Sequence, residues 1–119
     1  MPLTIHSRNG AHHFIVDVAK TGAQQERGLM FVKSLGGNRG MIFPYDPPQS
    51  VAFWMENTLI PLDIIFIRAN GTIARITEGK PLDESQLPSG EPISAVLEIR
   101  GGRAHELGIR VGDKVSWRE

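Results

Sequence analysis

Short apolar runs separated by glycine and proline predict a β-rich chain. Residues 3–7 alternate apolar and polar side chains, and residues 14–18 do the same after the turn-forming pair Asn9-Gly10. These segments predict a β-hairpin over residues 3–19. Strand-like composition recurs in four later segments, and a second turn pair, Asn70-Gly71, precedes one of them. The four segments are residues 50–55, 72–77, 93–99 and 115–117.

The most apolar segment of the chain is residues 59–68. Its centre, residues 64–67, has no polar break, which is typical of a central strand covered on both faces. Residues 41–43 predict a brief strand that ends at Pro44, because proline lacks the backbone donor that a strand ladder uses. Residues 81–92 predict a polar loop.

Two short helices complete the pattern. Thr21 is a good N-cap for a helix within residues 21–35, and Gly28 shortens that helix. Residues 102–107 predict a second helix with Gly108 just beyond its end. About seven strands and two helices predict a single α+β, β-rich domain over residues 1–119. Tight turns between strands favour a small, mostly antiparallel barrel or closed sandwich with two short helices.

Composition and charge narrow the function classes. The 13 basic and 13 acidic residues give a formal net charge of zero, which argues against a nucleic-acid partner. No apolar run approaches the roughly 18 residues of a transmembrane helix. The absence of cysteine excludes thiol catalysis and cysteine-based zinc sites. The four histidines show no ligand spacing, since adjacent His12 and His13 point to opposite faces of a strand. We expect no metal and no cofactor.

Residues 53–63, which read FWMENTLIPLD, resemble a family of bacterial and archaeal proteins of unknown function, DUF192. Three other motifs agree in order: RGLMF at residues 27–31, GMIF at 40–43, and VLE at 96–98 followed by GIRVGD at 108–113. The resemblance implies a compact β-rich domain and no particular activity. Many members carry a signal or lipoprotein sequence, which implies a periplasmic or envelope location if an upstream signal was trimmed, and a cytoplasmic one otherwise. The resemblance also implies a basic residue at the position of Glu56 in many relatives. If that residue contacts an anionic ligand, acidic Glu56 argues against such a ligand here.

Residues 54–63 are the strongest candidate site, because polar side chains follow an apolar strand there. A pocket at the end of this strand would be lined by the ligand-binding candidates Trp54, Met55, Asn57, Thr58 and Asp63. The alternative is structural, since Asn57 and Asp63 are residue types that commonly hydrogen-bond the backbone of a turn.

Two carboxylates and one arginine form a second hypothesis. If residues 93–99 alternate, Glu98 shares a face with Val96, and a nearby Asp63 would complete a general acid/base pair. Arg27 would then stabilise charge, so Asp63, Glu98 and Arg27 are the candidate catalytic residues. The alternative for Glu98 is an ion pair with one of the arginines at positions 27, 68, 75 or 100.

Methionine and aromatic residues recur together and allow two interpretations. They are either ordinary core, since methionine fills irregular gaps, or an adaptable apolar surface for a ligand. The set comprises Met30, Met41, Met55, Phe31, Phe43 and Trp54.

The sequence therefore favours a non-catalytic module that binds a small molecule or a protein partner, and the family resemblance favours the cell envelope as its location. The alternative is a small hydrolase that uses the paired carboxylates. That alternative requires the two carboxyl groups within about 10 Å of each other across an open cleft.

Overall fold

The computed structural model describes residues 1–118, which form nine β-strands and two short helices. The strands are β1 (Pro2–Ser7), β2 (Gly10–Val18), β3 (Arg39–Gln49), β4 (Ala52–Phe53), β5 (Leu62–Ile67), β6 (Ile73–Gly79), β7 (Leu87–Pro88), β8 (Ile93–Arg100) and β9 (Lys114–Trp117). The helices are α1 (Gly22–Arg27) and α2 (Arg103–Leu107). Neither helix in this described range is long and apolar enough to cross a membrane.

Seven strands form one curled sheet in the order β6-β5-β8-β3-β2-β1-β9, and β4 pairs with β7 in a separate two-stranded ribbon. Within the large sheet only β2 and β3 run parallel. The edge strands approach each other at one end, where Thr72 pairs with Lys114. This contact, with its neighbouring backbone hydrogen bonds, joins residues 71–73 to residues 112–115 and does not continue along β6, so the sheet is a half-barrel. The β-rich class is confirmed, whereas the closed barrel is confirmed only in part.

Each face of the sheet covers its own apolar core. The concave core contains residues of β1, β2 and β9 together with Ile65, Ile67 and Leu97 from the central strands. The convex core contains Ile64 and Phe66, over which residues from the α1 and β4 regions pack. Every side chain of β5 is therefore buried, which confirms the expectation of a strand covered on both faces.

The predicted start of α1 after Thr21 and its end near Gly28 are confirmed. The Thr21 side chain accepts a hydrogen bond from the backbone N–H of Gln24, and the Gln24 side chain accepts from the Thr21 backbone. This capping box satisfies two donors that the first turn leaves without helical partners. Gly28 ends the helix at a φ of 50°. The Gln25 amide donates to the carbonyls of Ala19 and Pro44, at 3.1 Å each, and so ties α1 to β3.

The prediction that β3 ends at Pro44 was wrong, because the strand continues to Gln49. Its pairing with β8 is irregular between Pro44 and Gln49, and the prolines lie in or beside this interval. A missing backbone N–H costs little where no ladder partner faces it. Tyr45 thereby belongs to a strand of the large sheet. The predicted strand over residues 50–55 shrinks to Ala52–Phe53, and its partner β7 lies inside the predicted polar loop.

Candidate functional site

A pocket of about 280 Å³ opens on the convex face of the sheet, between α1 and the chain that follows β4. Its floor is built from β3 and β8, and its walls from residues 25–30 and 52–58. Apolar, aromatic and ionisable side chains all reach it. The lining residues are Gln25, Glu26, Arg27, Gly28, Leu29, Met30, Phe43, Tyr45, Ala52, Phe53, Trp54, Glu56, Thr58 and Glu98.

Glu98 supplies the carboxyl group at the floor of this pocket. Strand β8 alternates, so Leu97 and Ile99 enter the concave core while Val96 and Glu98 face the convex side. Glu98 lies between Met41 on β3 and Ile64 on β5, and it is only 5% exposed. The carboxyl is therefore held among apolar neighbours by two ladders of backbone hydrogen bonds.

The Glu98 carboxyl has no hydrogen-bond or ion-pair partner within residues 1–118. No fully buried side-chain oxygen in that range lacks a partner, so the Glu98 oxygens must keep contact with the pocket space. Burial disfavours the charged form and raises the pKa of Glu98 to about 8. Near neutral pH the floor of the pocket is thus mainly a neutral carboxylic acid.

Four other ionisable side chains line the pocket. Glu26 and Arg27 come from α1, Glu56 from the turn after β4, and Tyr45 from β3. Burial, and then the nearby Glu98 carboxylate, raises the pKa of Tyr45 to about 12, so its hydroxyl keeps its proton. The Arg27 Cζ lies 5.8 Å from the centroid of the Phe31 ring, a cation–π arrangement with a ring outside the lining.

The aromatic wall is packed rather than loose. The Phe53 ring meets Phe43 edge to face at 5.1 Å between centroids, and it meets Phe66 in the same way at 6.2 Å. Trp54 remains 44% exposed, whereas the next residue, Met55, is fully buried in the convex core. The Trp54 ring is therefore available at the pocket.

The loops around the pocket are fixed by backbone hydrogen bonds and contain strained residues. Phe31 and Leu82 have φ near 65° and Asn57 has φ of 55°, a region that bulky residues seldom occupy. Phe31 N–H donates to the Asn57 carbonyl, and Leu82 N–H donates to that of Thr58. The positive-φ residues are thus joined in one cluster beside the wall of the pocket.

Replacing Gly28 by alanine should lower the free energy of unfolding by about 1–2 kcal/mol. The φ of 50° and ψ of −127° at this position suit glycine, and a new Cβ would lie 3.4 Å from the Phe43 ring. Urea denaturation measures the effect. Gly22→Ala is the matched control, because an added Cβ there meets nothing within 4 Å and alanine favours the helix. Equal stability of the two variants would contradict the expected strain.

The structure brings together six of the residues that the sequence singled out. The pocket is lined by Arg27, Met30, Phe43, Trp54, Thr58 and Glu98. Met55 lies beneath the pocket in the convex core and packs against Gly79. The contact is so close that a side chain added at Gly79 would place its Cβ 2.5 Å from the Met55 Sδ.

Asn57 and Asp63 do not line the pocket. Asn57 is exposed, and its backbone carbonyl belongs to the turn that holds Phe31. The Asn57 side chain makes no hydrogen bond within residues 1–118, so the side-chain bond to the turn backbone that the sequence suggested as an alternative does not form. Asp63 lies on the opposite side of the sheet, where its carboxylate accepts hydrogen bonds from the backbone N–H groups of Gly102 and Ala104.

The predicted Asp63–Glu98 acid/base pair is wrong. Asp63 stands opposite Ile99 in the ladder between β5 and β8, and Glu98 stands opposite Ile64. Residues directly opposite each other point to the same face, and the next position points to the other. The two carboxylates therefore face opposite sides of one sheet, with no cleft between them. Arg27, proposed as their electrostatic partner, shares a pocket with Glu98 alone.

The alternative ion pair for Glu98 does not form with Arg68, Arg75 or Arg100 in the described chain. Arg68 bonds Glu91 at 2.6 Å, Arg100 bonds Glu106 at 3.1 Å, and Arg75 donates to the Pro88 carbonyl. Within residues 1–118 no cluster of three or more His, Asp or Glu side chains is arranged to hold a metal ion.

The family comparison covers nearly the whole chain. The model of the family DUF192, described as Uncharacterized ACR, matches residues 4–117. The chain belongs to the DUF192 family. The resemblance carried by residues 27–31, 40–43, 53–63 and 96–113 is thereby confirmed.

Two crystal structures are similar to this DUF192 chain over almost its full length. A protein of unknown function from Novosphingobium aromaticivorans is 47% identical with a TM-score of 0.96, and the match covers 98% of this chain and 84% of that one. A protein from Sinorhizobium meliloti, described as a candidate transcription regulator, is 33% identical with a TM-score of 0.93, covering 97% and 91%. No curated protein matches the chain.

Sequence reasoning missed several lining residues of this DUF192 pocket, notably Tyr45, Phe53 and Glu26. Tyr45 follows Phe43 by two positions, so both lie on one face of any strand that continues through Pro44. That spacing is the signal in the sequence from which Tyr45 could have been predicted. Glu26 offered none, since an exposed acidic residue on a short helix looks the same wherever the helix packs.

Proposed function

We propose that this chain is a non-catalytic module that binds a small ligand in the pocket above Glu98. The observation that carries the proposal is the Glu98 carboxyl, which is 5% exposed, lacks a partner in residues 1–118 and reaches an open cavity. A buried polar group without a partner costs free energy. A ligand with a complementary group would supply the partner that the described chain does not.

The lining chemistry favours binding over catalysis. The lining includes no Ser, Cys, His or Lys among the described residues, and the Thr58 hydroxyl donates to the Glu56 carbonyl. With Asp63 on the other face, the pocket has no second buried carboxylate to share acid and base roles with Glu98. The hydrolase that required that pair is therefore not proposed again.

The size and rigidity of the pocket favour a small molecule. Its volume of about 280 Å³ lies just below the roughly 300–1,000 Å³ that ligand sites occupy. Two sets of contacts fix walls of the pocket before any ligand binds. The Phe43 and Phe53 rings meet edge to face, and the Gln25 amide donates hydrogen bonds to the carbonyls of Ala19 and Pro44. A location in the cell envelope stays a prediction from the family resemblance.

The two tryptophans allow a direct test by NMR. Trp54 lines the pocket, whereas Trp117 packs against the concave core. We expect a fragment library of mixed charge to contain compounds that shift the Trp54 indole N–H signal and leave that of Trp117 in place. Trp54→Ala removes this signal, so its affinity for such compounds is measured by calorimetry. It should be about tenfold or more weaker, since an aromatic contact contributes on the order of 1 kcal/mol beyond the apolar area that it buries.

Glu78→Gln is the control for general effects of charge removal, because Glu78 is exposed on β6 and does not line the pocket. It should leave every affinity within about twofold. A library in which no compound of any charge moves the Trp54 signal would reject the pocket as a ligand site.

A further inference from the structure

We infer that the ligand of the Glu98 pocket is a small organic cation, with an ammonium or guanidinium group placed at the Glu98 carboxyl. This inference rests on the proposed function and names its ligand class. Three features of the pocket carry it: the balance of charged groups, the burial of the floor carboxyl and the aromatic wall.

The ionisable lining groups are mostly acidic. Glu26, Glu56 and Glu98 face the pocket from three different elements, against the single cation of Arg27. Arg27 is exposed, and its guanidinium lies over the Phe31 ring, which is outside the lining. Water and the Phe31 ring therefore already stabilise its positive charge. An exposed arginine contributes little to holding an anion, whereas a buried carboxylate strongly prefers a cation beside it.

Burial makes Glu98 selective for positive charge. The empty pocket holds the carboxyl in its neutral form near pH 7, because burial raises its pKa to about 8. A bound cation would stabilise the carboxylate, and the Glu98 proton would leave to solvent as the ligand enters. A neutral ligand would leave the proton in place, and an anionic ligand would favour it further.

The wall suits the rest of such a molecule. Trp54, Phe43, Phe53 and Tyr45 bring four aromatic rings to the lining, and Leu29 adds an aliphatic side chain. Aromatic rings attract cations through their quadrupole, and they also provide apolar area for an alkyl chain. A carboxylate beside aromatic rings is a combination that favours alkylammonium and alkylguanidinium groups over anions.

The test is a ligand series that changes only the head group: butylammonium, butylguanidinium, 1-butanol and butyrate. Titrations follow the Trp54 indole N–H of the full chain, with Trp117 as internal reference. At about pH 7 we expect the two cations to bind at least tenfold more tightly than the alcohol or the carboxylate. Glu98→Gln should remove at least tenfold of that affinity for the cations, and Glu78→Gln should remove none.

Proton release gives a second readout. Butylguanidinium binding is measured by calorimetry at about pH 7 in two buffers of different ionisation enthalpy. The apparent binding enthalpy of the native chain should differ between the buffers, because the buffer takes up the released proton. That of Glu98→Gln should be the same in both. A blocked glycine–lysine–glycine tripeptide distinguishes a free amine from a peptide side chain as the source of the cation. Tighter binding of either one agrees with the inferred head-group chemistry.

The outcomes separate the two proposals. Binding of butyrate or 1-butanol at least as tight as that of the cations overturns the inferred ligand class and leaves the binding module intact. Cation affinity that is unchanged in Glu98→Gln, with the variant folded, overturns it as well. If no probe of any charge moves the Trp54 signal, the inference and the proposed function fail together.

Discussion

Asp63→Ala should lower the free energy of unfolding by about 3–4 kcal/mol and leave ligand binding in the Glu98 pocket unchanged. Asp63 is 5% exposed, and its carboxylate accepts hydrogen bonds from Gly102 N–H at 3.1 Å and Ala104 N–H at 2.9 Å. These are donors at the first turn of α2, which the helix itself does not satisfy. Removing the carboxylate leaves the buried Ala104 N–H unpaired beside the concave core, and the Gly102 N–H loses its partner as well.

Asp83→Ala is the matched control for this loss. Asp83 also accepts two hydrogen bonds, from the backbone N–H and the hydroxyl of Ser85, but it does so in a loop where water can replace it. We expect a loss below about 1 kcal/mol there. Urea denaturation of both variants measures the difference. Equal losses would mean that the Asp63 carboxylate is not the cap that fixes α2.

The strand pattern was predictable because it depends on short-range periodicity. The hairpin β1–β2 follows from alternation on both sides of Asn9-Gly10, and its register joins Ser7 with Gly10. The uninterrupted apolar run of β5 follows from burial on both faces. The N-cap at Thr21 follows from side-chain chemistry within a single helical turn.

Features that depend on long-range pairing were not predictable in the same way. The parallel contact between β2 and β3 spans α1 and the loop after it, and no local pattern specifies it. The extension of β3 past Pro44 depends on an irregular ladder in which the missing donors are not needed. Closure depends on whether two edge strands meet along their length, and here the contact is confined to residues 71–73 and 112–115.

The candidate site shows the same division. Alternation along β8 correctly placed Glu98 on the face of Val96. It could not say which residues of β5 share that face, because the register between two strands is set by the whole sheet. A shift of one residue decides whether Asp63 or Ile64 stands beside Glu98, and the structure places Ile64 there. The acid/base hypothesis depended on that single step.

Glu98→Gln should make the protein more stable than the native chain at alkaline pH, by an amount that grows with pH. The pKa of Glu98 is about 8 in the fold, against 4.5 for the ordinary side chain. Between these values the folded state holds a proton that the unfolded state releases, so the native chain loses stability as the pH rises. The slope reaches about 1.4 kcal/mol per pH unit at most. Glutamine keeps the shape of the neutral acid and has no charge to bury.

Urea denaturation of both proteins from about pH 5 to pH 9 measures this difference, which should reach a few kcal/mol near pH 8 and level off above it. Glu78 is exposed on β6, so the free energy of unfolding of Glu78→Gln should change with pH in the same way as that of the native chain. A difference between Glu98→Gln and the native chain that stays constant across this range would contradict a buried neutral acid. It would mean that Arg27, the basic residue of the lining, pairs with an ionised Glu98 in solution and that the pocket floor is already neutralised. Growth of the difference with pH would instead establish that Glu98 is a neutral acid in the fold near pH 7, the form whose proton a bound cation would release to solvent.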